Sequence, residues 1–342
     1  MRAAVIGGPG EVQVRDVQPP QRRGHALVRV DAAGICGTDI KIATGQVPVP
    51  AGRVLGHEIT GRVEQPGPRG LVPAGTRVLV NPAVFCGDCD LCRRDLPQLC
   101  RHGGLLGRDT DGGFAELVAV DERCLHPLPD AITSAEAELL QVLSTCVHAQ
   151  SGLNLAPDTS AVVVGLGVSG LLHIQLLRAA GVRTIIGVTR SDWKRGIALE
   201  SGALAIGTPD EAAEAVASAT GGRGADVAIE CAGTAGTLAQ AMNLAGAGGT
   251  VVMFGTTAPA ADGMPTYDWY LKELTIQCPR AARPRDCDRA VRLCADRRLD
   301  LEPLVTARFP VQRVAEALAA CRDPSQLKVV LEISRNAAPV TT

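Results

Sequence analysis

A glycine-rich loop between a predicted strand and a predicted helix constrains this chain more than any other feature. Residues 162–170 read Val-Val-Val-Gly-Leu-Gly-Val-Ser-Gly, which places the pattern Gly-x-Gly-x-x-Gly directly after an apolar run. Gly165 allows a tight turn, Gly167 lets the backbone approach a pyrophosphate, and Gly170 permits close packing of the helix on the strand. Val168 stands at the helix N-terminus, whose free N–H groups favour phosphate. The pattern therefore predicts a dinucleotide site rather than an ordinary glycine-rich turn.

Strands and helices alternate along the chain around this loop. Predicted strands cover residues 161–164, 184–188, 203–206, 227–231, 250–254 and 274–278. Predicted helices cover residues 169–180, 193–201, 211–220 and 237–244. This alternation is typical of a doubly wound parallel sheet, so the fold class expected for this part is α/β.

The end of the second strand indicates which dinucleotide the loop binds. An acidic residue there would bind the ribose 2′-hydroxyl of NAD(H), but Thr189 stands at that position, and Arg190 and Lys194 follow it. A hydroxyl and two cations suit a 2′-phosphate, because charge-assisted hydrogen bonds favour the extra anion. We therefore expect NADP(H) over NAD(H). Asp192 is evidence for NAD(H) instead, and Arg190 and Lys194 could simply be solvent-exposed residues at the start of a helix.

Four cysteines lie close together on one segment. Cys86, Cys89, Cys92 and Cys100 are separated by two, two and seven residues. Thiolates at this spacing can close a tetrahedral zinc site, and four cysteines leave no open position, so such a zinc would be structural. An iron–sulfur cluster is an alternative, since it also takes four thiolates. Disulfides are not expected in a reducing compartment.

Composition limits the remaining classes. The chain has 342 residues, which at roughly 150 residues per domain favours two domains. A formal net charge of −2 and an aromatic content of 2% argue against nucleic acid as a partner. No apolar run approaches the roughly 18 residues of a membrane span, and Met1 to Ile6 lack a long apolar segment. We expect a cytoplasmic protein that does not bind membranes.

The first 130 residues differ from the rest in their predicted secondary structure. Short β-like runs at 26–32, 61–64, 77–80 and 114–120 are separated by glycine and proline turns, as in a barrel-like β domain. A single helix is predicted over 134–150, with Ser134 as its N-cap. Near the end of the chain, a strand at 304–309, a helix at 314–321 and a strand at 328–333 would suit a return to the first domain.

Two loop-like stretches in this β-rich part hold metal-ligating residue types. Gly34 to Asp39 contains Cys36, and Gly56 to Glu58 contains His57. A catalytic zinc needs a few protein ligands and one open position. Lone cysteine and histidine residues are more often structural, so the spacing alone does not identify a metal site.

Taken together, these stretches resemble the zinc-dependent medium-chain dehydrogenase/reductase family, which includes alcohol, sorbitol and threonine dehydrogenases. The matching segments occur in the family's order and span nearly the whole chain: residues 34–39, 56–58, 86–100, 112–116, 165–170 and 303–306. The resemblance implies a GroES-like β-rich catalytic domain at 1–152, completed by 294–342, and a Rossmann domain at 153–293.

The resemblance also implies roles for individual residues. It implies that Cys36, His57 and Glu58 hold a catalytic zinc, in addition to the structural zinc at the four-cysteine loop. Thr38 matches the hydroxyl that contacts the substrate oxygen and begins a proton relay. Thr145 matches a residue that packs against the nicotinamide.

Gln141 departs from the family pattern. Relatives place Glu, Asp or Cys at this position, whereas a neutral amide is a poorer zinc ligand. Gln141 or a water molecule would then be a weak fourth ligand, and a weakened or lost zinc site stays open.

The function expected from these features is hydride transfer between NADP(H) and a small secondary alcohol or ketone, of polyol or sugar type. Two alternatives remain: an NAD-dependent polyol or threonine-type dehydrogenase, and a family member that has lost redox turnover and binds NADPH or performs non-redox chemistry. By resemblance to its relatives, the protein is expected to be a homodimer or homotetramer.

Overall fold

The computed structural model describes residues 1–8, 10–21, 24–255 and 266–334. It divides into two compact units. The first comprises Met1–Thr145, Ala281–Arg297 and Leu301–Thr342, and the second comprises Cys146–Arg280 and Arg298–Asp300. These divisions fall at different residues from the boundaries expected at 152/153 and 293/294. No helix in the described part of the chain is long and apolar enough to cross a membrane.

Seventeen strands and eleven α-helices make up the regular structure within the described residues. The strands are β1 Arg2–Gly8, β2 Glu11–Asp16, β3 Ala26–Gly34, β4 Glu58–Gln65, β5 Arg77–Val80, β6 Ala83–Val84, β7 Gly104–Leu105, β8 Leu117–Val120, β9 Leu125–Pro127, β10 Ser160–Val164, β11 Thr184–Val188, β12 Ala205–Gly207, β13 Ala225–Glu230, β14 Ala245–Met253, β15 Thr275–Gln277, β16 Val305–Pro310 and β17 Lys328–Glu332. The helices are α1 Gly37–Ala43, α2 Asp90–Arg93, α3 Ser134–Ala137, α4 Leu140–Gln150, α5 Val168–Ala179, α6 Asp192–Glu200, α7 Ala212–Thr220, α8 Ala235–Leu244, α9 Thr266–Leu271, α10 Pro284–Ala295 and α11 Val314–Ala320.

A seven-stranded sheet organises the first unit. Its strand order is β16-β17-β3-β4-β5-β9, and β8 also pairs with β3. Strand β17 runs antiparallel to β3, with Val330 opposite Gly34. The C-terminal strands thus belong to the same sheet as strands from the first 130 residues. Two small sheets, β1-β2 and β6-β7, complete this GroES-like unit.

A six-stranded parallel sheet organises the second unit. Its order is β12-β11-β10-β13-β14-β15, so the chain reverses direction across the sheet between β10 and β13. Strand β10 is buried along its whole length, as expected for a parallel sheet covered on both faces. The prediction of a doubly wound α/β fold next to a β-rich part is confirmed.

Several element predictions need correction. The single helix expected over 134–150 consists of α3 and α4. The N-cap of α3 is Thr133 rather than Ser134, because the Glu136 N–H donates to Thr133 Oγ1 and the Glu136 carboxylate accepts from the Thr133 N–H. Helices α1, α2, α9 and α10 were not predicted.

Candidate functional site

The four-cysteine loop brings its sulfur atoms together around one point. The Sγ–Sγ distances are 3.5 Å for Cys89–Cys92 and Cys86–Cys100, 3.8 Å for Cys89–Cys100 and 4.0 Å for Cys86–Cys92. Four thiolates placed tetrahedrally about 2.3 Å from one ion lie about 3.8 Å from each other. All twelve cysteines are free. The donor set therefore fits one tetrahedral metal ion and no disulfide.

Backbone N–H groups point at these sulfurs. The Asp88 and Cys89 N–H groups donate to Cys86 Sγ at 3.4 and 3.3 Å. Backbone hydrogen bonds from Cys92 and Arg101 lower the pKa of Cys89 to about 6, and similar bonds lower the pKa of Cys86. Burial instead raises the pKa of Cys92 to about 12. The loop thus stabilises the thiolate form of Cys86 and Cys89, two of its four cysteines, without a bound metal ion.

A second cluster of metal-ligating atoms lies in the same unit. Ligand atoms of Cys36, His57 and Glu58 all lie within 4.8 Å of one another. Cys36 directly precedes α1, and Glu58 begins β4. Gly56 has φ +91°, and a side chain there would overlap the ring of Phe114, so only glycine lets the chain enter this cluster.

Asp39 connects the two segments that supply this cluster. Its fully buried carboxylate accepts the Cys36 N–H at 2.9 Å and the Gly56 N–H at 3.2 Å, and its Oδ1 lies 3.5 Å from His57 Nδ1. Burial by itself would lower the pKa of His57, but the charges of Asp39 and Cys36 raise that pKa well above its usual value. Asp39 therefore lies behind His57 at ion-pair distance, where a second-layer carboxylate lies at metal sites, and His57 Nδ1 makes no hydrogen bond among the described residues.

Lys328, which sequence reasoning did not single out, completes the cluster. Its Nζ donates to Glu58 Oε2 at 2.7 Å and to the Ile35 carbonyl at 3.1 Å. Burial by itself would lower the pKa of Lys328, but Glu58 and Cys36 raise it. Gly34 leaves the room for this pair, because a side chain there would overlap Glu58 Oε2. The available signal was the rarity of lysine, since the chain has only Lys41, Lys194, Lys272 and Lys328.

Three further residues predicted for this region lie on helices: Thr38 on α1, and Gln141 and Thr145 on α4. Thr38 is half-buried, and its Oγ1 lies 3.8 Å from Cys36 Sγ. Gln141 is buried near the start of α4, where its carbonyl accepts from the Ser144 hydroxyl. The Thr145 hydroxyl donates to the Val142 carbonyl at 2.7 Å, one turn earlier in the same helix.

The glycine-rich loop of the second unit has the geometry of an anion cradle. Gly165 has φ +92°, and a Cβ there would lie 2.8 Å from the Cβ of Ala232. A side chain at Gly170 would overlap the Gly165 carbonyl. Gly167 caps α5 without a side-chain hydrogen bond and faces open space, so the N–H groups that begin at Val168 are available to a phosphate. These residues fit a dinucleotide.

The predicted 2′-phosphate residues follow β11. Thr189 is buried, and its Oγ1 accepts the Ser191 N–H at 3.2 Å. Arg190 is exposed. Lys194 is half-buried with its Nζ 5.3 Å from the centre of the Trp193 ring, and burial lowers its pKa.

The seven remaining cysteines lie in mostly apolar or helical stretches of the sequence, which predicts small buried core residues, and this prediction holds only in part. Cys124, Cys146, Cys287 and Cys294 are buried. Cys231 and Cys321 are half-buried, and Cys278 is exposed beyond strand β15. The expectation was wrong for Cys278 because an apolar sequence context does not distinguish a buried strand from an edge strand.

Comparison with known proteins adds independent evidence. Residues 22–130 match the alcohol dehydrogenase GroES-like domain, and residues 168–296 match the zinc-binding dehydrogenase family. The chain is 31% identical to 2-dehydro-3-deoxy-L-galactonate 5-dehydrogenase of Pseudoalteromonas atlantica, with 90% of this chain and 94% of that protein covered. It is 29% identical to a sorbitol dehydrogenase of Halalkalibacterium halodurans, with 95% and 96% covered.

A solved structure is equally similar. A protein of Sinorhizobium meliloti described as a zinc-binding dehydrogenase, bound to NADP, superposes with a TM-score of 0.90 at 31% identity. The match covers 97% of this chain and 99% of that one.

Proposed function

The chain belongs to the zinc-dependent medium-chain dehydrogenase/reductase family, oxidoreductases that act on CH–OH groups, and on that premise we propose that it transfers a hydride between NADP(H) and a secondary alcohol or ketone of polyol or sugar type. The observation that carries the proposal is the convergence of Cys36, His57 and Glu58, whose ligand atoms lie within 4.8 Å of one another.

We assign two zinc ions to each chain. Cys36, His57 and Glu58 would hold a catalytic zinc, with Gln141 or a water molecule as a weak fourth ligand. Cys86, Cys89, Cys92 and Cys100 would hold a structural zinc. One thiolate, one imidazole and one carboxylate leave an open position, whereas four thiolates leave none.

The chemistry divides between the bound groups and the chain. When bound, zinc supplies Lewis-acid polarisation of the substrate oxygen, and the nicotinamide supplies or accepts the hydride. Thr38, whose hydroxyl lies 3.8 Å from Cys36 Sγ, would exchange the substrate hydroxyl proton. Asp39 and Lys328 hold His57 and Glu58 in place. The side chains of Asp39, His57, Glu58 and Lys328 are all nearly fully buried, which keeps water away from their polar atoms.

Cofactor choice rests on the residues after β11. The glycines Gly165, Gly167 and Gly170 and the N-terminus at Val168 would bind the pyrophosphate, and Thr145 would pack against the nicotinamide. Thr189, Arg190 and Lys194 would receive the 2′-phosphate, because a hydroxyl and two cations replace the acidic residue that selects NAD(H). The NADP bound to the Sinorhizobium meliloti protein supports this preference.

The substrate class rests on the relatives. The names of the Pseudoalteromonas atlantica and Halalkalibacterium halodurans proteins indicate a sugar acid and a polyol as their substrates. The position of Glu58 beside Cys36 and His57 is consistent with the polyol branch of the family. We propose a polyhydroxylated secondary alcohol or the corresponding ketone.

We further propose a homodimer or homotetramer located in the cytoplasm. Twelve free cysteines suit a reducing compartment. The exposed side chains of Tyr267 and Tyr270 on α9 and of Ile276 on the edge strand β15 would be covered in an assembly. Light scattering coupled to size-exclusion chromatography measures the assembly directly.

A panel of polyols, sugar alcohols and ketones, assayed with both cofactors, tests the proposed activity. Turnover with NADP(H) that disappears in Cys36→Ser is the expected result. Full turnover in Cys36→Ser would overturn the catalytic-zinc assignment, and much better use of NADH than NADPH would overturn the cofactor assignment.

Gln141 supports a second candidate, a family member that binds NADPH without redox turnover. Metal content separates the two candidates. About two zinc ions per chain together with turnover support the enzyme. One tightly held zinc with NADPH binding and no turnover on any panel member would favour the second candidate.

A further inference from the structure

A buried carboxylate lies at the end of the central strand β13 of the second unit and belongs to neither group of metal-ligating residues. Glu230 is the last residue of β13 and is 0% exposed. Strand β13 adjoins β10, which leads into the glycine-rich loop, and the strand order reverses between these two strands. In doubly wound sheets, ligands bind outside the carboxyl ends of the strands at this reversal. Glu230 therefore lies at the edge of the sheet where the dinucleotide is proposed to bind.

Only one of the two carboxylate oxygens of Glu230 accepts hydrogen bonds from the described residues. Its Oε1 accepts the N–H groups of Ala232 and Gly233 at 2.8 and 2.7 Å and the Thr237 hydroxyl at 2.8 Å. Its Oε2 is buried and has no hydrogen-bond partner among the residues that the structure describes. A Cβ added at Gly255 would lie 2.6 Å from this Oε2.

The charge environment of this carboxylate differs from that of the other buried glutamates. Within the described ranges, no lysine, arginine or histidine forms an ion pair with Glu230, whereas the other buried glutamates Glu58, Glu122, Glu136 and Glu138 each have one. The pKa of the adjacent Cys231 thiol is raised well above its usual value by burial, with added effects of Cys146 and Glu230. An uncompensated buried charge costs stability.

In the proposed dinucleotide site, the half of the sheet that begins at β13 would take the nicotinamide. A doubly wound sheet consists of two mononucleotide-binding halves, and the one with the glycine-rich loop and the ribose-binding position takes the adenosine. Strands β10 to β12 are that half here, so β13 to β15 form the other. The Glu230 carbonyl also accepts the N–H groups of Phe254 and Gly255, which follow β14. Glu230 thus joins the ends of two strands of the nicotinamide half.

We propose that the missing counter-charge of Glu230 is the oxidised nicotinamide ring, so that this carboxylate raises the affinity of the site for NADP⁺ relative to NADPH. The inference rests on the proposed dinucleotide site. The oxidised ring carries a positive charge and the reduced ring carries none, so a fixed negative charge stabilises only the oxidised form. For unit charges about 10 Å apart at the effective dielectric of a protein, the effect corresponds to about tenfold in affinity.

The test compares the two dissociation constants in the intact, zinc-loaded protein. Glu230→Gln keeps the shape and an acceptor oxygen for the three donors but removes the charge. The ratio Kd(NADP⁺)/Kd(NADPH), measured by calorimetry or by NADPH fluorescence, is expected to rise about tenfold over wild type. An unchanged ratio in a folded Glu230→Gln protein would overturn the proposal.

Two control variants separate charge from loop geometry. Thr237→Val removes one hydrogen bond to Glu230 and keeps the charge, so its ratio should stay at the wild-type value. Glu214→Gln removes an exposed carboxylate of α7 in the same unit and should also leave the ratio unchanged. A shift of the ratio in Thr237→Val as large as in Glu230→Gln would assign the effect to loop geometry and overturn the proposal.

Two further outcomes are decisive. If wild type binds neither NADP⁺ nor NADPH, the dinucleotide site itself is wrong, and the inference falls with it. If wild type binds both forms but Glu230→Gln leaves the ratio of the two dissociation constants unchanged, the dinucleotide site stands and only the inference about Glu230 is wrong. Failure of both Glu230→Gln and Glu230→Met to fold, while Glu230→Asp folds, would assign Glu230 a purely structural role and overturn the proposal.

Discussion

The Lys328 ammonium lies 2.7 Å from Glu58 Oε2, and the two side chains are 4% and 1% exposed. Lys328 begins the last strand of the first unit, and Glu58 begins β4, so the pair joins the C-terminal strand to the proposed catalytic metal cluster. The ligand segment that follows β3 and the one that leads into β4 are thereby held to one sheet.

Lys328→Met should destabilise the protein by about 3 kcal/mol, because it leaves the Glu58 carboxylate buried without its partner. The double variant Glu58→Gln/Lys328→Met removes both charges, so its free energy of unfolding should fall by less than that of Lys328→Met alone. Urea unfolding of the three proteins measures the difference. Equal stability of Lys328→Met and wild type would show that the ion pair does not hold this site together.

Asp39→Asn should lower zinc affinity at the catalytic cluster by roughly 10- to 100-fold, as loss of a carboxylate behind a histidine ligand does at other zinc sites. The physical reason is the loss of the charge 3.5 Å from His57 Nδ1. Competition with a chromogenic chelator measures the affinity, and the exposed Asp130→Asn is the matched control. Zinc retention equal to that of the control would contradict the role of Asp39.

The two clusters should respond differently to loss of one thiolate. Cys36→Ser should abolish turnover and reduce zinc content from about two ions to about one, with the unfolding midpoint retained. Cys92→Ser should release the other zinc and lower the free energy of unfolding by more than roughly 3 kcal/mol, because loss of a structural metal is among the most destabilising changes. Metal analysis and thermal unfolding distinguish the two outcomes. Identical effects of both substitutions would refute separate roles.

Arg190→Ala/Lys194→Ala should raise the KM for NADPH about tenfold and leave the KM for NADH nearly unchanged, because the guanidinium and ammonium would contact only the 2′-phosphate. Steady-state kinetics with both cofactors check this. Arg183→Ala removes another exposed arginine of the same unit and should change neither value. A parallel rise for both cofactors would place Arg190 and Lys194 elsewhere on the dinucleotide.

His173 should make stability depend on pH. Complete burial in helix α5 lowers its pKa to about 3, and its Nδ1 lies 2.9 Å from Gln150 Nε2, so the folded protein holds it neutral. The unfolded chain takes up the proton near pH 6.5, the folded protein only near pH 3. Stability is therefore lost as pH falls through this interval, by about 1.4 kcal/mol per pH unit.

Unfolding free energies at pH 7 and pH 5 check the histidine prediction. His173→Gln should reduce the loss of stability between the two values, whereas the exposed His102→Gln should not. The same pH dependence in His173→Gln and wild type would exclude His173 as the cause.

Much of the fold and part of the site were predictable, because their signals are local. The strand–loop–helix around Gly165 and the spacing of Cys86 to Cys100 are short segments whose geometry depends on neighbouring residues. Helix α10 was missed because no Ser, Thr, Asp or Asn marks its start, and Arg283 stands at its N-cap. The split between α3 and α4 was missed because the apolar pattern runs through both.

By itself, the sequence indicated the fold class, the glycine-rich loop and the four-cysteine cluster, since each depends on residue type at short spacing, whereas the set of Cys36, His57 and Glu58 came from the resemblance to the family. Only the tertiary structure decided that Lys328 pairs with Glu58 across 270 residues of sequence and that Asp39 bridges the two ligand loops. It also decided that Glu230 is buried without a counter-charge among the described residues. Burial and long-range charge pairing depend on which strands become neighbours in a sheet, and local sequence patterns do not specify that.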